Sequence, residues 1–509
     1  MDTEKKIYKA FTGRRQLFTD YLPNRMRRDG DTSPILDEES IPTIIKNVWD
    51  DVMTNGVETQ YLLEYYKGKQ DILDRNKVVR PDVDNRVVFN HAMAITRATV
   101  GYTFGKPIRY VHRKDTAREG VSELNLLVEA EDKFTSDQEL AIYASVCGTG
   151  YRGVFADTYG VEDDIPFSVV TLDPVTTFIV YSTEIGHPPV LACTFYETPP
   201  SLTHGNKYVY LVYTHDYIYR YEIDSCSVGI LSSADLVGEP IQNILGEIPI
   251  VEYPNNAFRI GDWEIAKPLL DAINVVGSDS VNDLEQYVNS ILVAVNVELD
   301  AEGKRSIQDD KIVSIKSDKD LPAELKYISE QLDVGSAQEL REFLIDQLGV
   351  IVGVPSRTDS SSGGDTGDAV YLRDGFQDLE IVARNKETFF KRAERNTLKL
   401  IVNLLTKKHY DPLISNLKTK DIDIRFSRNM TDGILAKANA ISIMSGAQIF
   451  DPVDILSLVN ISTEPDDLAK RGEDYWSKKT EADSTNEDAD SDNTTDLKDE
   501  LLNRTTDRD

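Results

Sequence analysis

Hydrophobic and polar positions alternate with two different periods along this chain, and the change of period divides it into regions. Apolar residues recur every three or four positions over residues 42–66 and 85–101, which predicts two helices. Over residues 151–224 the pattern changes to short segments rich in β-branched and aromatic residues, separated by turn residues. Helices followed by such a β-rich, antiparallel region favour an α+β fold class, helix-rich overall, rather than a parallel doubly wound sheet.

The second half of the chain is dominated by helical periods. Over residues 264–292 apolar side chains recur on one side of the predicted helix, and polar side chains recur three or four positions apart on the other. The polar set is Asp271, Asn274, Ser278, Asn282, Glu285 and Asn289. Residues 293–330 change to short alternating segments around charged turns, which predicts a small αβ insertion. A second amphipathic helix is predicted over 336–352, with a capping box that begins at Ser336.

Loop and tail signals follow these two helices. Residues 355–368 are mostly serine, glycine and aspartate, which predicts a mobile loop. A helical pattern then continues over residues 369–408, and Gly375 marks an expected kink or break. Residues 481–509 hold eleven acidic residues against three basic ones and no aromatic residue, which predicts disorder.

Composition limits the classes of function. Acidic residues outnumber basic ones by 87 to 56, and the net charge of −31 disfavours a protein that grips DNA through Lys and Arg. The same charge does not exclude a protein that surrounds DNA and lets it slide, and it does not distinguish such a protein from an ordinary acidic one. No signal peptide or membrane-spanning segment is visible, so the sequence predicts a soluble protein made in a cytoplasm, with no membrane partner. Three widely spaced cysteines fit a reducing compartment: Cys147, Cys193 and Cys226.

Motifs for catalysis or cofactor binding are weak. Residues 148–153 match GxGxxG, but a helical pattern precedes them and a strand-like one follows, the reverse of a dinucleotide site. No P-loop, HExxH or cysteine cluster occurs, so we expect no enzyme, no catalytic residue, no cofactor and no metal. A basic cluster on the predicted long helix suits phosphate: Arg384, Lys386, Lys391, Arg392, Arg395 and Lys399. The alternative is a solvated helix face on which Glu387 and Glu394 pair with these cations.

From about residue 247 onward, the order of the parts resembles the portal proteins of tailed bacteriophages, of the type found in long-tailed phages of Gram-positive hosts. The segment IPIVEYPNNAFRIGDWEIAKPLLDAINVVGSDSVNDLEQYVNSILVAV is similar to that family's junction between a strand and its first stem helix. LGVIVGVPS, SSSGGDTGDAVYLR and the helix after them look like the second stem helix, tunnel loop and kinked helix. IRFSRNMTDGILAKANAISIMSG resembles the closing strand and crown helices. Upstream, EYYKGKQDI, NHAMAITRATVGYTFGKP and ASVCGTGYRGVFAD fit the family's wing.

The resemblance implies a division of the chain into nine parts. Residues 1–40 would be an N-terminal arm, 41–262 a wing that is β-rich over 151–255, 263–292 and 333–353 the two stem helices, and 293–332 the clip between them. Residues 354–368 would be a tunnel loop, 369–410 a long kinked helix, 411–478 a crown, and 479–509 a disordered acidic tail. The loop departs from the Ser-Gly-x-Ala-Leu junction of relatives, since Thr366-Gly367-Asp368-Ala369-Val370 stands there.

In that family, copies of the chain form a homo-oligomeric ring of about 12 subunits at one capsid vertex. The resemblance therefore implies a head–tail connector in the virion, assembled in the bacterial host cytoplasm, through which the genome is packaged and ejected. The implied partners are further copies of the chain, a terminase motor, head–tail adaptors, the major capsid and scaffolding proteins, and double-stranded DNA.

Two sets of residues carry the implied contacts. The tunnel loop would face DNA through Arg357, Thr358, Asp359, Ser360, Ser361, Ser362 and Asp365. The clip would dock the motor and the adaptors through Glu302, Lys304, Arg305, Asp309, Asp310 and Lys311.

Two other functions stay open on the sequence alone. A DNA-processing or packaging enzyme would need a P-loop or a metal-binding acidic cluster, and a thermal-shift assay with ATP and Mg²⁺ tests for it. An unrelated structural protein would be monomeric, and a mass measurement in solution distinguishes it from a ring.

Overall fold

A computed structural model describes residues 14–23, 36–77, 81–113, 115–156, 165–199, 207–224, 235–288, 291–295, 324–328, 334–355, 376–428, 434–447, 455–456 and 468–477. The helices are α1 (Ser40–Tyr66), α2 (His91–Phe104), α3 (Arg118–Ala130), α4 (Lys133–Cys147), α5 (Lys267–Val288), α6 (Val334–Val352), α7 (Phe376–Lys407), α8 (Pro412–Ser415) and α9 (Ile434–Ala447). Residues 468–477 are also helical.

The strands are β1 (Leu17–Thr19), β2 (Arg109–His112), β3 (Thr149–Ala156), β4 (Phe167–Leu172), β5 (Thr177–Ser182), β6 (Pro189–Thr198), β7 (Lys207–Tyr213), β8 (Tyr217–Asp224), β9 (Asp235–Leu236), β10 (Ile241–Gln242), β11 (Ile250–Pro254), β12 (Ile291–Val295), β13 (Glu324–Ile328) and β14 (Ile422–Arg425). This mixture of helix and sheet agrees with the expected α+β class.

The first two helices show how far the apolar period locates an element. The helix predicted over residues 42–66 is confirmed as α1, whose buried side packs against the large sheet through Trp49. The helix predicted from residue 85 begins only at His91, because Asn90 caps it: its side chain accepts a hydrogen bond from the N–H of Met93 at 3.1 Å. Residues 83–90, here called the strap, form neither helix nor strand.

Two sheets confirm the β-rich region predicted over residues 151–224. The larger has seven strands in the order β1-β5-β6-β7-β8-β10, with β9 paired to β8. All its pairs are antiparallel except that of β1 with β5. The smaller sheet has the order β11-β3-β4 and is antiparallel.

The GxGxxG segment begins at Gly148, directly after α4, and continues into β3, which confirms the predicted order of helix before strand. Gly148 ends α4 with φ +75°, a conformation that glycine adopts without strain. A Cβ atom there would lie 2.0 Å from the carbonyl oxygen of Arg259, so the glycine is needed for a close approach of two backbone segments. The segment therefore has a packing role and lacks the geometry of a dinucleotide site.

The long helix α7 crosses the largest hydrophobic cluster of the described chain. Its Phe390 ring lies 4.5 Å from that of Phe104 and 4.7 Å from that of Tyr253, measured between ring centres. Strand β14 pairs with β2, and Ile414 of α8 is buried in the same cluster. Residues 411–425, which the sequence assigned to a crown, therefore pack on the core that α2, α3 and α4 also share.

One group of charges is buried beneath α7, and we call it the buried charge cluster: Lys133, Asp137, Arg152 and Glu394. Glu394 lies 2.8 Å from the ammonium of Lys133 and 3.4 Å from the guanidinium of Arg152, and the hydroxyl of Tyr110 donates to it at 2.6 Å. Although burial opposes ionisation, these two cations hold the pKa of Glu394 well below its ordinary value. The prediction that Glu394 pairs with cations of its own helix is wrong, because this side of α7 faces the core.

Candidate functional site

Helices α5 and α6 pack against each other and run in opposite directions. Leu270 and Ile273 near the start of α5 share a hydrophobic cluster with Leu348 and Val352 at the end of α6. The first helix was predicted over residues 263–292, but it covers only Lys267–Val288, and the chain continues into strand β12. The second begins at Val334, so Ser336 lies inside the helix and the predicted capping box is wrong.

The polar side of α5 faces the protein interior. Asn274, Ser278 and Asn282 are fully buried beneath the strap. Alternate backbone N–H groups of the strap donate to these side chains: Phe89 to Asn274 at 2.7 Å, Val87 to Ser278 at 3.0 Å, and Asn85 to Asn282 at 2.6 Å. We call this arrangement the polar ladder.

The ladder depends on a match between two backbone repeats. Four residues of an α-helix rise about 6.0 Å, and two residues of an extended chain advance about 6.6 Å. Polar side chains four positions apart on α5 therefore meet every second N–H group of the strap. These N–H groups belong to no sheet, so the side chains satisfy donors that burial would otherwise leave unpaired.

Phe89 joins the strap to both helices. At Gly277 of α5, a Cβ atom would lie 2.1 Å from the Phe89 ring, so only glycine leaves room for it. The guanidinium of Arg341 in α6 lies 5.9 Å from the centre of the same ring. Burial, and then the charge of Arg341, lower the pKa of the neighbouring His91.

The outward sides of α5 and α6 expose large apolar side chains. We call the following set the outer ridge, whose members are between 40% and 75% exposed: Val281, Leu284, Leu340, Phe343, Val350 and Ile351. The two helices are otherwise acidic, with four acidic residues in α5 and three in α6 against one basic residue in each. Of the two basic residues, Lys267 is buried and paired with Asp71 and Asp271.

The expected tunnel loop begins where α6 ends. All seven of its candidate DNA-facing residues, from Arg357 to Asp365, lie outside the described residues. The described residues before and after this loop are close together, because Val354 packs against Leu379 and Ala383 of α7. Helix α7 is described from Phe376 onward, and Gly375, the predicted break, lies with residues 369–374 of the predicted long helix outside the described part.

The expected clip lies between α5 and α6. Its six candidate docking residues, from Glu302 to Lys311, fall within residues 296–323, outside the described residues. Strands β12 and β13 flank this segment and form an antiparallel pair. The segment therefore leaves and returns at adjacent strands.

The basic cluster predicted on α7 does not form one surface. Lys386 is buried and pairs with Asp262, whereas the other pairs are exposed or half-buried. Those pairs are Arg384 with Glu380 at 2.8 Å, Lys391 with Asp423 at 3.1 Å, and Lys399 with Glu247 at 3.0 Å. Among the described residues, only Arg392 and Arg395 of the cluster have no ion-pair partner. A continuous phosphate-binding face on α7 is therefore not supported.

A protein-family model described as phage portal protein, SPP1 Gp6-like, matches residues 47–492. This chain belongs to the phage portal protein family. The match covers nearly the whole chain, including α5, α6 and the segments between and after them. The family resemblance predicted from the sequence is thereby confirmed, and it implies a structural role in a homo-oligomeric ring at the capsid portal.

No curated protein matches the chain. Within the described ranges, no helix is long and apolar enough to cross a membrane. The same ranges contain no group of three or more His, Cys, Asp or Glu side chains arranged to hold a metal ion.

Proposed function

We propose that about 12 copies of this chain close into a ring at one capsid vertex, with α5 and α6 as the stem around a channel for double-stranded DNA. The outer ridge carries this proposal beyond the family assignment. Apolar side chains that one copy exposes are stabilised when another copy covers them. A closed ring needs contacts between two different surfaces, and the ridge offers one on α5 and one on α6.

The charge of the two helices supports a channel through which DNA slides. Exposed acidic side chains such as Asp283, Glu339 and Asp346 repel phosphate. A wall of this charge does not bind DNA through the release of counterions, so it does not hold the genome in place.

The ring is tested by mass photometry of the purified chain. The wild type should form large closed assemblies, whereas a variant with Leu284→Asp and Phe343→Asp should stay near the chain mass of 57.2 kDa. Ile185→Asp is the matched control, since Ile185 is 97% exposed in the turn between β5 and β6. A wild type that is monomeric at micromolar concentration across salt conditions contradicts the proposal.

We place partner specificity in the clip, with the terminase motor during packaging and the head–tail adaptors afterwards as its partners. Residues 296–323 can be exchanged for those of a relative while β12 and β13 are kept, because these strands pair with each other. Rings should still form, and binding of the motor or the adaptor should change. Unaltered binding of both would show that the docking residues lie elsewhere, for example on surfaces that meet the capsid or scaffolding proteins.

We place the tunnel loop at the channel wall, in transient contact with DNA during packaging and ejection. Replacing Ser360, Ser361 and Ser362 with lysine adds phosphate attraction, so packaging should slow or stall while ring assembly stays normal. The same three positions changed to threonine serve as the control. Measured genome length per head decides the outcome, and full heads at the wild-type rate in the lysine variant contradict the placement.

A further inference from the structure

Residues 14–23, here called the docked arm, occupy a specific site on the rest of the chain. Its strand β1 pairs in parallel with β5, and Thr19 lies opposite Ser182. The N–H of Thr183 donates to the carbonyl of Thr19 at 2.9 Å. Leu17 is buried in the cluster that α1 forms with the large sheet. The arm is therefore bound through both its backbone and its side chains.

Arg14 is the most deeply held cation of the arm. Its guanidinium donates to the carbonyl of Cys147 at 3.3 Å, to Glu264 at 2.6 Å and to Glu58. Burial raises the pKa of Glu264 even with Arg14 beside it. Without the arm, this buried carboxyl would lack its cation, so the site is incomplete until an arm fills it.

The neighbouring residue, Arg15, is bound through its backbone. The side chain of Asn55 accepts from the N–H of Arg15 at 3.0 Å and donates to the carbonyl of Arg15 at 2.8 Å. The groups that receive the arm lie on α1, β5, the end of α4 and the segment before α5, and all follow residue 40. Any copy of the chain therefore presents a complete receiving site, whichever copy supplies the arm.

The length of the connection between the arm and α1 permits docking within one copy or onto a neighbouring copy. Residues 24–35 connect Pro23 to Leu36, and 12 residues can span up to about 40 Å. Yet Tyr21 and Leu36 pack on the same hydrophobic cluster. A parallel strand pair also needs no tight turn between its strands, so the connection does not fix which copy supplies β1.

We propose that, in the assembled ring, the docked arm of each copy occupies the receiving site of the adjacent copy. The inference rests on the ring of the proposed function and adds specific residue contacts between adjacent copies. The exchanged contacts are the ones that form within one chain, so no new surface is required. The buried pairs of Arg14 then stabilise the ring in addition to the outer ridge.

The test places single cysteines on different copies. One variant carries Thr19→Cys and the other Ser182→Cys, both in a Cys226→Ser background, and the two are co-expressed so that rings form from a mixture. Paired positions on adjacent strands lie within disulfide reach. After mild oxidation, a denaturing gel without reductant should show a cross-linked dimer from the mixture and only single chains from either variant alone.

A variant with both cysteines in one copy completes the test. If the arms are exchanged, this variant should give a series of bands from two, three and more linked chains. If each arm docks within its own copy, the variant gives a single-chain band and the mixture gives no dimer, and this result overturns the proposal. No disulfide in any sample overturns it as well. The native mass of each sample is measured before the gel. Intact rings that give only single-chain bands would refute the exchange of arms but not the ring. Linked dimers without rings would refute the ring alone, and unlinked monomers would refute both proposals.

Discussion

Helices α5 and α6 lie side by side and have similar lengths, but different kinds of contact hold them. Three hydrogen bonds of the polar ladder bind α5 to the strap. The space that Gly277 leaves for the Phe89 ring, here called the notch, fixes the register of α5 against the strap. The buried residues of α6, Leu348 and Val352, lie at its C-terminal end. A displaced α5 would leave buried donors unpaired along its length, whereas a displaced N-terminal part of α6 would disturb no buried residue among those that the structure describes in that helix. We therefore expect α5 to move with the body of the subunit and α6 to be the more easily displaced helix.

The largest effect should come from the apolar anchor of α6. Leu348→Ala should lower the free energy of unfolding by about 2–5 kcal/mol, since it removes buried methyl groups and leaves a cavity. Leu340→Ala, on the exposed part of the same helix, should change it by about 0.5 kcal/mol or less in the unassembled chain. Urea unfolding measures both, and equal losses would show that α6 is anchored along its whole length.

Filling the notch of α5 should have the second-largest effect on stability. Gly277→Ala places a methyl group against the Phe89 ring and should cost about 1–3 kcal/mol. Gly101→Ala in α2 is the control: nothing lies within 4 Å of its added Cβ atom, so alanine should stabilise that helix by about 0.5–1 kcal/mol. Opposite signs in the shift of the unfolding midpoint are expected, and stabilisation by both substitutions would rule out the notch.

The rungs of the ladder should contribute somewhat less. Ser278→Ala removes the acceptor for the N–H of Val87 and should cost about 1–2 kcal/mol, because a buried donor loses its partner. Ser280→Ala on the exposed side of α5 removes only a bond to the carbonyl of Val276 and should be nearly neutral. If the two variants unfold at the same urea concentration, the ladder does not stabilise α5.

The contact of Arg341 should have the smallest effect. Arg341→Met should cost about 0.5–1 kcal/mol through the lost interaction with the Phe89 ring. It should also weaken a pH dependence. Burial and Arg341 lower the pKa of His91, so the folded chain favours the neutral ring, and stability is lost as the pH falls below about 6.5. Unfolding midpoints between about pH 7.5 and pH 5.5 should fall less steeply in the variant than in the wild type.

The sequence located α5 but did not show which of its sides faces inward. Its period is a local property, whereas the burial of Asn274, Ser278 and Asn282 depends on a strap that lies far away in the chain. The signal was present as short amide and hydroxyl side chains four positions apart. Interpreting it required the position of residues 83–90, which the apolar period had assigned partly to a helix. Backbone donors outside secondary structure leave no pattern of their own in a sequence.

The charges of α7 illustrate a second limit. Spacing along one helix suggested that Glu394 pairs with its own neighbours, yet its partners come from α4 and β3. A charged side chain can pair with neighbours on its own helix or with partners across the core. A buried carboxylate such as Glu394 pairs across the core, because it needs cations that are buried beside it. The expected DNA-facing residues of the tunnel loop and the docking residues of the clip stay predictions.

The buried charge cluster also has a consequence for evolution. Asp137 lies 2.7 Å from Lys133 and 2.6 Å from Arg152, so each of its four members neutralises two others. Replacing one member leaves an uncompensated buried charge, at a cost of about 3–5 kcal/mol, whereas joint replacement by apolar residues is nearly neutral. Intermediate sequences are therefore selected against. In related chains, these four positions should covary, as a set that is either kept whole or lost whole.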